Sequence, residues 1–201
     1  MPADDTLLTM ARPRKPTPVK LIVGLLAGDI DLLRRARQLL KRTYGPVDLE
    51  SDFWPFTQTD YYETEMGPDL TRWFLGFERL IRPDNLAEIK LRTNDLEELM
   101  TKQCLLPDRP RPVNLDPGYL NLAQLVLATT KDHAHRLYLG LGIHAEVTLY
   151  FKDGQWQTWP WTYPDYREPH YHAFFTQVRE RYREQRAQWA ERLEPFDEDL
   201  A

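Results

Sequence analysis

Hydrophobic positions along the chain follow two rhythms, one alternating and one with a period of about 3.6, and their order predicts an α+β domain. Residues 19–26 form a compact apolar run ending at Gly28, the pattern of a central strand covered on both faces. A helix should follow, because Leu32, Leu33, Ala36, Leu39 and Leu40 recur at helical spacing, Asp29 is placed to cap them, and Gly45 with Pro46 supplies the stop. Its other side carries Arg34, Arg35, Arg37, Lys41 and Arg42, a solvated face. Val47, Leu49, Ser51 and Phe53 alternate with polar residues into a second strand that Pro55 limits, and residues 70–81 predict a third, with Gly76 marking a bulge or close approach. Pro83 opens a helix in which Leu86, Ile89, Leu96 and Met100 share a face.

Residues 111–116 alternate into a short strand, and Asp116-Pro117-Gly118-Tyr119 then fits a type II turn, since proline presets the first central φ and glycine supplies the positive second one. Beyond it, Leu122, Leu125, Val126 and Thr129 keep helical spacing behind an Asn121 cap and predict a short helix, although the run LVLATT equally suits a strand. Residues 135–139 and 143–151 predict strands joined across Gly140 and Gly142, and Lys152-Asp153-Gly154 signals a hairpin toward residues 155–159. From Pro169 to about residue 193 the chain returns to a long charged helix, with Phe174, Phe175, Val178, Tyr182 and Trp189 along its apolar stripe. The sum is an antiparallel or mixed sheet packed by helices, an α+β fold of ferredoxin-like flavour with added hairpins. Residues 19–195 read as one domain. Residues 1–18 hold four prolines and the basic stretch Arg12 to Lys15, too little apolar surface to offset ordering entropy, and read as a tail.

Composition narrows the function classes. A hydrophobic content of 42% fills one sizeable core, while no apolar run reaches the roughly 18 residues of a membrane helix and the N-terminus lacks the apolar stretch of a secretion signal. A cytoplasmic protein without a membrane partner is expected. Cys104 is the single cysteine, so neither an internal disulfide nor a multi-thiolate metal site can form, and it reads as a packed thiol. A net charge of −5 gives no basic surplus to displace counterions, which argues against a nucleic-acid partner.

Five stretches, VKLIVGLLAGD, TDYYETEMG, NLDPGYLNLAQLVLATTKDHAHRLYLG, AEVTL and WTYPDY, together resemble a bacterial family, the domain of unknown function DUF4416, from residue 18 to about 185. The resemblance brings no catalytic residue, binding residue or cofactor with it. It implies at most the GTP-binding label that some members carry. The chemistry speaks against a P-loop GTPase: the chain has no G-x-x-x-x-G-K-[ST], no Gly-Lys pair and no Asn-Lys-x-Asp guanine reader, and Asp29 and Asp31 would repel a phosphate at the first helix.

The densest polar segment runs from residue 114 to 146. Asn114 and Asp116 fall on one strand face, opposite Val113 and Leu115, and the helix expected after them would aim free N–H groups at an anion near Asn121. Lys131, His135 and Arg136 add donors for a phosphate or carboxylate, with Arg136 able to grip it in bidentate fashion. Asp116, Glu146 and His135 are the candidate catalytic groups, the carboxylates as general bases or cation ligands; Asn114, Lys131 and Arg136 are the candidate ligand-binding groups. Plain structural roles compete: Asp116 fixing its turn, Lys131 closing a helix, Glu146 pairing Arg136. A single site requires Asp116, Lys131, His135, Arg136 and Glu146 to converge on one pocket while Leu115, Leu137 and Val147 turn into the core. His135 and Arg136 alternate along their strand, so Arg136 should pair Glu146 and leave His135 facing the ligand.

His133, His135 and His144 have a loose metal-like spacing, and no metal site is assigned to them. Tyr61, Tyr62, Glu63 and Glu65 read as a polar loop with aromatic anchors, and Trp156, Trp159, Trp161, Tyr163 and Tyr166, broken by Pro160 and Pro164, as a lid sealing the sheet onto the last helix. The functional expectation is a site for a small anionic ligand, phosphate- or nucleotide-like. The alternative is a noncatalytic protein-interaction module, marked by a contiguous exposed apolar patch.

Overall fold

The structure, a computed structural model, describes residues 15–59, 62–104 and 110–193. Strand β1 (Val19–Ala27) is buried at every position and pairs antiparallel with β4 (Thr71–Ile81) on one side and β5 (Asn114–Leu120) on the other. Helix α1 (Ile30–Tyr44) starts where the Asp29 carboxylate accepts the Asp31 N–H at 2.8 Å and stops at Gly45, whose φ of 95° an L side chain would resist. Strands β2 (Val47–Glu50) and β3 (Trp54–Pro55) lie along β4. The expected second strand therefore ends short of Phe53, because Ser51 leaves the ladder to bind the β4 backbone, its Oγ accepting the Phe74 N–H and its carbonyl the Trp73 indole N–H, both at 3.0 Å. After the short α2 (Glu63–Met66) and β4, helix α3 (Leu86–Cys104) leads into β5.

The order β2-β4-β1-β5, with α1 and α3 each carrying the chain past one intervening strand, is the split βαβ arrangement of ferredoxin-like folds. Hairpins then widen the sheet. Strands β6 (Gln124–Thr129), β8 (Ile143–Lys152) and β7 (Leu137–Gly140) follow β5 in that order, β9 (Gln155–Thr158) pairs β8, and all pairings are antiparallel. One face of the sheet packs on α1 and α3 through Leu33, Leu40, Ile89, Leu96 and Met100. The other packs on α4 (Pro169–Leu193) through Phe174, Phe175 and Val178, with Trp156 and Tyr166 in the same cluster. At about 1.5–3 kcal/mol for each fully buried large side chain, these two layers hold the sheet between them. Among the described residues no helix is long and apolar enough to cross a membrane.

Two expectations are overturned at one place. No type II turn forms at Asp116–Tyr119, since β5 runs straight through Pro117 and Gly118, and no helix follows, since residues 124–129 are β6. Glycine is needed there for proximity, not for turning: a Cβ on Gly118 would lie 2.3 Å from the Val126 carbonyl oxygen. Asn121 tightens the β5–β6 hairpin instead of capping a helix, its Oδ1 accepting the N–H groups of Ala123 at 2.8 Å and Gln124 at 2.9 Å. Leu125–Ala128 are all buried, which a strand between two packed layers achieves and a one-sided helix does not. Similarly, the strand expected from residue 135 begins only at Leu137, the preceding segment being held as a turn by the Arg136 N–H on the His133 carbonyl. The Asp153-Gly154 hairpin forms as expected, with φ of 52° and 79°.

Candidate functional site

Strands β5 and β6 pair only over Gly118, Tyr119 and Leu120, whereas β5 stays on β1 as far as Asn114, so the sheet forks. The backbone of Leu115 shows how the fork is maintained. Its N–H donates to Glu97 Oε1 at 2.7 Å and its carbonyl accepts from Lys90 Nζ at 2.9 Å, so two α3 side chains stand in for the missing strand. By alternation Pro117 presents its edge in the same direction as Leu115, and having no N–H it cannot extend the ladder to β6. The fork opens onto a cavity of about 550 Å³, with Asn114 and Asp116 on one lip and Ala128, Thr129 and Lys131 on the other.

Arg72, 3% exposed, reaches this cavity from β4. Gly24 on the neighbouring strand leaves it room, since a Cβ there would lie 3.3 Å from Arg72 Nη1. The guanidinium joins two carboxylates, Nη1 to Asp116 Oδ2 at 3.3 Å and Nη2 to Asp165 Oδ2 at 3.2 Å, and lies 5.1 Å from the Phe56 ring centroid. Its buried Nε has no hydrogen-bond partner. Asp116 also accepts from Asn114 Nδ2 at 2.6 Å and sits 3.9 Å from Lys90 Nζ. Arg111 donates to Asn114 Oδ1 and pairs Glu97 at 3.0 Å. Four cationic side chains, Arg72, Lys90, Arg111 and Lys131, thus line one cavity with three carboxylates, Asp116, Glu146 and Asp165.

Of the residues singled out by sequence, Asn114, Asp116, Lys131 and Glu146 line this cavity; His135 and Arg136 do not. Both instead bind Glu146 Oε2, His135 Nε2 at 3.1 Å and Arg136 Nε at 2.8 Å, and Arg136 Nη2 donates to the Tyr163 hydroxyl at 2.6 Å. Because both residues sit in a turn, strand alternation does not separate them. The His135 ring stacks on Trp161 at 5.2 Å, where it faces an aromatic wall. Leu115 is in the core as expected, but Val147 is only partly buried and Leu137 is exposed. The anion site expected at Asn121 has no helix to build it. Cys104 is half-buried at the end of α3. Among the described residues no group of three or more His, Cys, Asp or Glu is placed to hold a metal ion. Tyr61 lies outside the described residues.

Arg72, Lys90, Arg111, Tyr62, Tyr163 and Asp165 complete the lining without having been singled out as ligand or catalytic residues. A signal existed for two of them. Arg72 interrupts an apolar strand run, and Lys90 occupies a position one turn from Leu86 on the buried face of α3; a charge where the pattern calls for a hydrophobe marks a group with a buried partner. Four of the five stretches that carry the family resemblance contribute to the lining: Tyr62, Asn114 to Lys131, Glu146, and Tyr163 to Tyr166.

Burial sets the protonation behaviour. It raises the Asp165 carboxyl above the usual range despite the opposing charge of Arg72, while Arg72, also penalised by burial, is held charged by Asp165, Tyr166 and Asp116. Burial likewise pushes the phenols of Tyr62 and Tyr163 up to about 12. A group whose folded pKa exceeds its unfolded value of 10.0 contributes stability below that pH and loses it as pH rises through the folded value, so stability should fall between about pH 10 and 12. Phenolate absorbance should then rise together with unfolding as followed by circular dichroism. A separate phenolate step for the whole tyrosine set well below the unfolding transition would contradict this.

The comparisons identify a family and no activity. A family model described as a domain of unknown function, DUF4416, matches residues 17–182. No curated protein and no solved structure matches the chain. With that model spanning most of its length, the chain belongs to the DUF4416 family.

Proposed function

We propose that the fork between β5 and β6 binds a small anionic ligand, phosphate- or nucleotide-like. The observation that supports this most directly is the convergence of Arg72, Lys90, Arg111 and Lys131 on one cavity of about 550 Å³, with the buried Nε of Arg72 unmatched by any acceptor. Phenols of Tyr62 and Tyr163 add donors and aromatic surface. In this reading Arg72 and Lys131 hold the anion and Asn114 keeps the Asp116 carboxylate oriented. Asp116 is the candidate general base for a hydrolytic or transfer step, and Asp165, paired to Arg72 Nη2 at 3.2 Å, holds that guanidinium in place. Glu146 serves the site indirectly by fixing Arg136, which in turn holds Tyr163.

The test is thermal denaturation against orthophosphate, a hexose phosphate and nucleoside monophosphates. A ligand present at about 100 times its Kd adds about 2.7 kcal/mol. Lys131 is exposed, so Lys131→Ala should leave the unliganded melting temperature within about 2 °C while removing most of the ligand-induced shift. A shift that survives Lys131→Ala and the charge-preserving Arg111→Lys unchanged would place the ligand elsewhere. No response to any of these anions would end the anion reading.

A further inference from the structure

The sheet ends in β2 with β3 at one edge and β7 with β9 at the other, and β2 and β7 differ in chemistry. On β2, Asp48 pairs with Lys20 and Arg181 and Glu50 pairs with Arg37, so that edge carries charge. Along β7 and its turn, the sequence Leu137-Tyr138-Leu139-Gly140-Leu141-Gly142 has no charge at all. Leu137 is 74% exposed, Tyr138 65%, Leu139 42% and Leu141 61%. Tyr138 pairs with His144 in the β8 register and Leu137 with Ala145 before the register shifts at Leu139, so side chains on both faces of this edge are apolar and partly exposed, Tyr138 resting on the His144 ring at 5.2 Å. An uncharged apolar edge with open backbone hydrogen-bonding groups is a template for another strand.

We infer that β7 is the contact by which two copies of this chain pair, edge to edge and antiparallel, about a two-fold axis. Self-complementarity selects the occupant. A strand added to β7 must carry apolar side chains on both faces and no charge, and β7 itself meets that requirement. A head-to-tail union of β7 with β2 would set Leu137 and Leu139 against Asp48 and Glu50, so the pairing closes as a dimer instead of growing into a filament. Four exposed side chains on a short edge cover less area than a standard stable interface, so the pairing is weak and depends on concentration. The inference is independent of the cavity.

Sedimentation velocity of the full chain, under reducing conditions that exclude a Cys104 disulfide, should show the mass rising from monomer to dimer between about 1 and 500 µM. Leu137→Lys and Leu139→Lys should each weaken association at least tenfold, and Leu137→Lys should leave the melting temperature of the dilute monomer nearly unchanged, because Leu137 is 74% exposed. A chain that stays monomeric across the range overturns the proposal and leaves the edge to a different partner. A dimer that persists undiminished in both variants overturns it too, by placing the interface elsewhere. Spin labels on Tyr138→Cys in a Cys104→Ser background supply a second reading: two-fold pairing of β7 brings the labels within about 20 Å, and a longer distance in the dimer refutes the edge-to-edge geometry.

Discussion

Arg72→Met should lower the stability of the protein by about 3–5 kcal/mol, seen as a fall in melting temperature of roughly 10 °C at neutral pH. The substitution keeps the length of the side chain and removes the one cation that joins Asp116 and Asp165, leaving a carboxyl at Asp165 that is only 6% exposed and has no counter-charge. The loss should depend on pH in a definite direction. Burial already raises Asp165 above its ordinary 3.8, and without Arg72 the largest opposing influence is gone, leaving only the backbone N–H groups of Asp165 and Tyr166 to favour the charged form. A carboxyl whose folded pKa lies above its unfolded value favours folding while protonated, so the variant should approach the wild type near pH 4 and fall further behind as pH climbs through the folded pKa. Adding Asp165→Asn should recover part of the loss at pH 7, because the uncompensated charge is gone. A variant within 2 °C of wild type at pH 7 would mean that the Arg72 cluster is not buried as described.

The second large effect is expected at Gly118→Ala, at about 3 kcal/mol or more. A methyl group there would meet the Val126 carbonyl oxygen at 2.3 Å and Leu127 Cδ2 at 2.7 Å. The first of these is backbone, so a rotamer change gives no relief and β5 and β6 must separate. Those strands meet at the root of the cavity, and moving β6 carries Thr129 and Lys131 with it. Gly118→Ala should therefore reduce both the melting temperature and the response to the anions that stabilise the wild type, unlike Lys131→Ala, which should affect only the second. Equal stability of Gly118→Ala and wild type in a urea titration would refute the close approach.

The same residues explain what was legible in the sequence. The first strand, the first helix with its Asp29 and Gly45 caps, the Asp153-Gly154 hairpin and the last helix announce themselves because local pattern and tertiary role agree. At Pro117-Gly118 they diverge. Proline followed by glycine is the strongest local sign of a turn, yet here proline is tolerated because its edge faces no strand, and glycine is required because another backbone is too near. A turn at Pro117-Gly118 would free LVLATT to be helical, whereas a continuous β5 commits it to the ladder as β6. The cavity was half legible for a related reason. Asn114, Asp116, Lys131 and Glu146 fall within one polar segment, whereas Arg72 lies 44 residues from Asp116 and 93 from Asp165, and only the folded sheet brings them together.

The position of Pro117 also makes the cleft a length that mutation can change in steps. Only alternate residues of β5 present their edge toward β6, so the point where the two strands unzip can shift by two residues at a time, or about 6.7 Å. Restoring an N–H with Pro117→Ala should let the strands close toward Ala128 and shorten the cleft, while a proline at Tyr119 should lengthen it by one step. Among relatives, the position of one imino acid on this strand would then act as a ruler for the ligand, setting how large a molecule enters without altering any group that holds it.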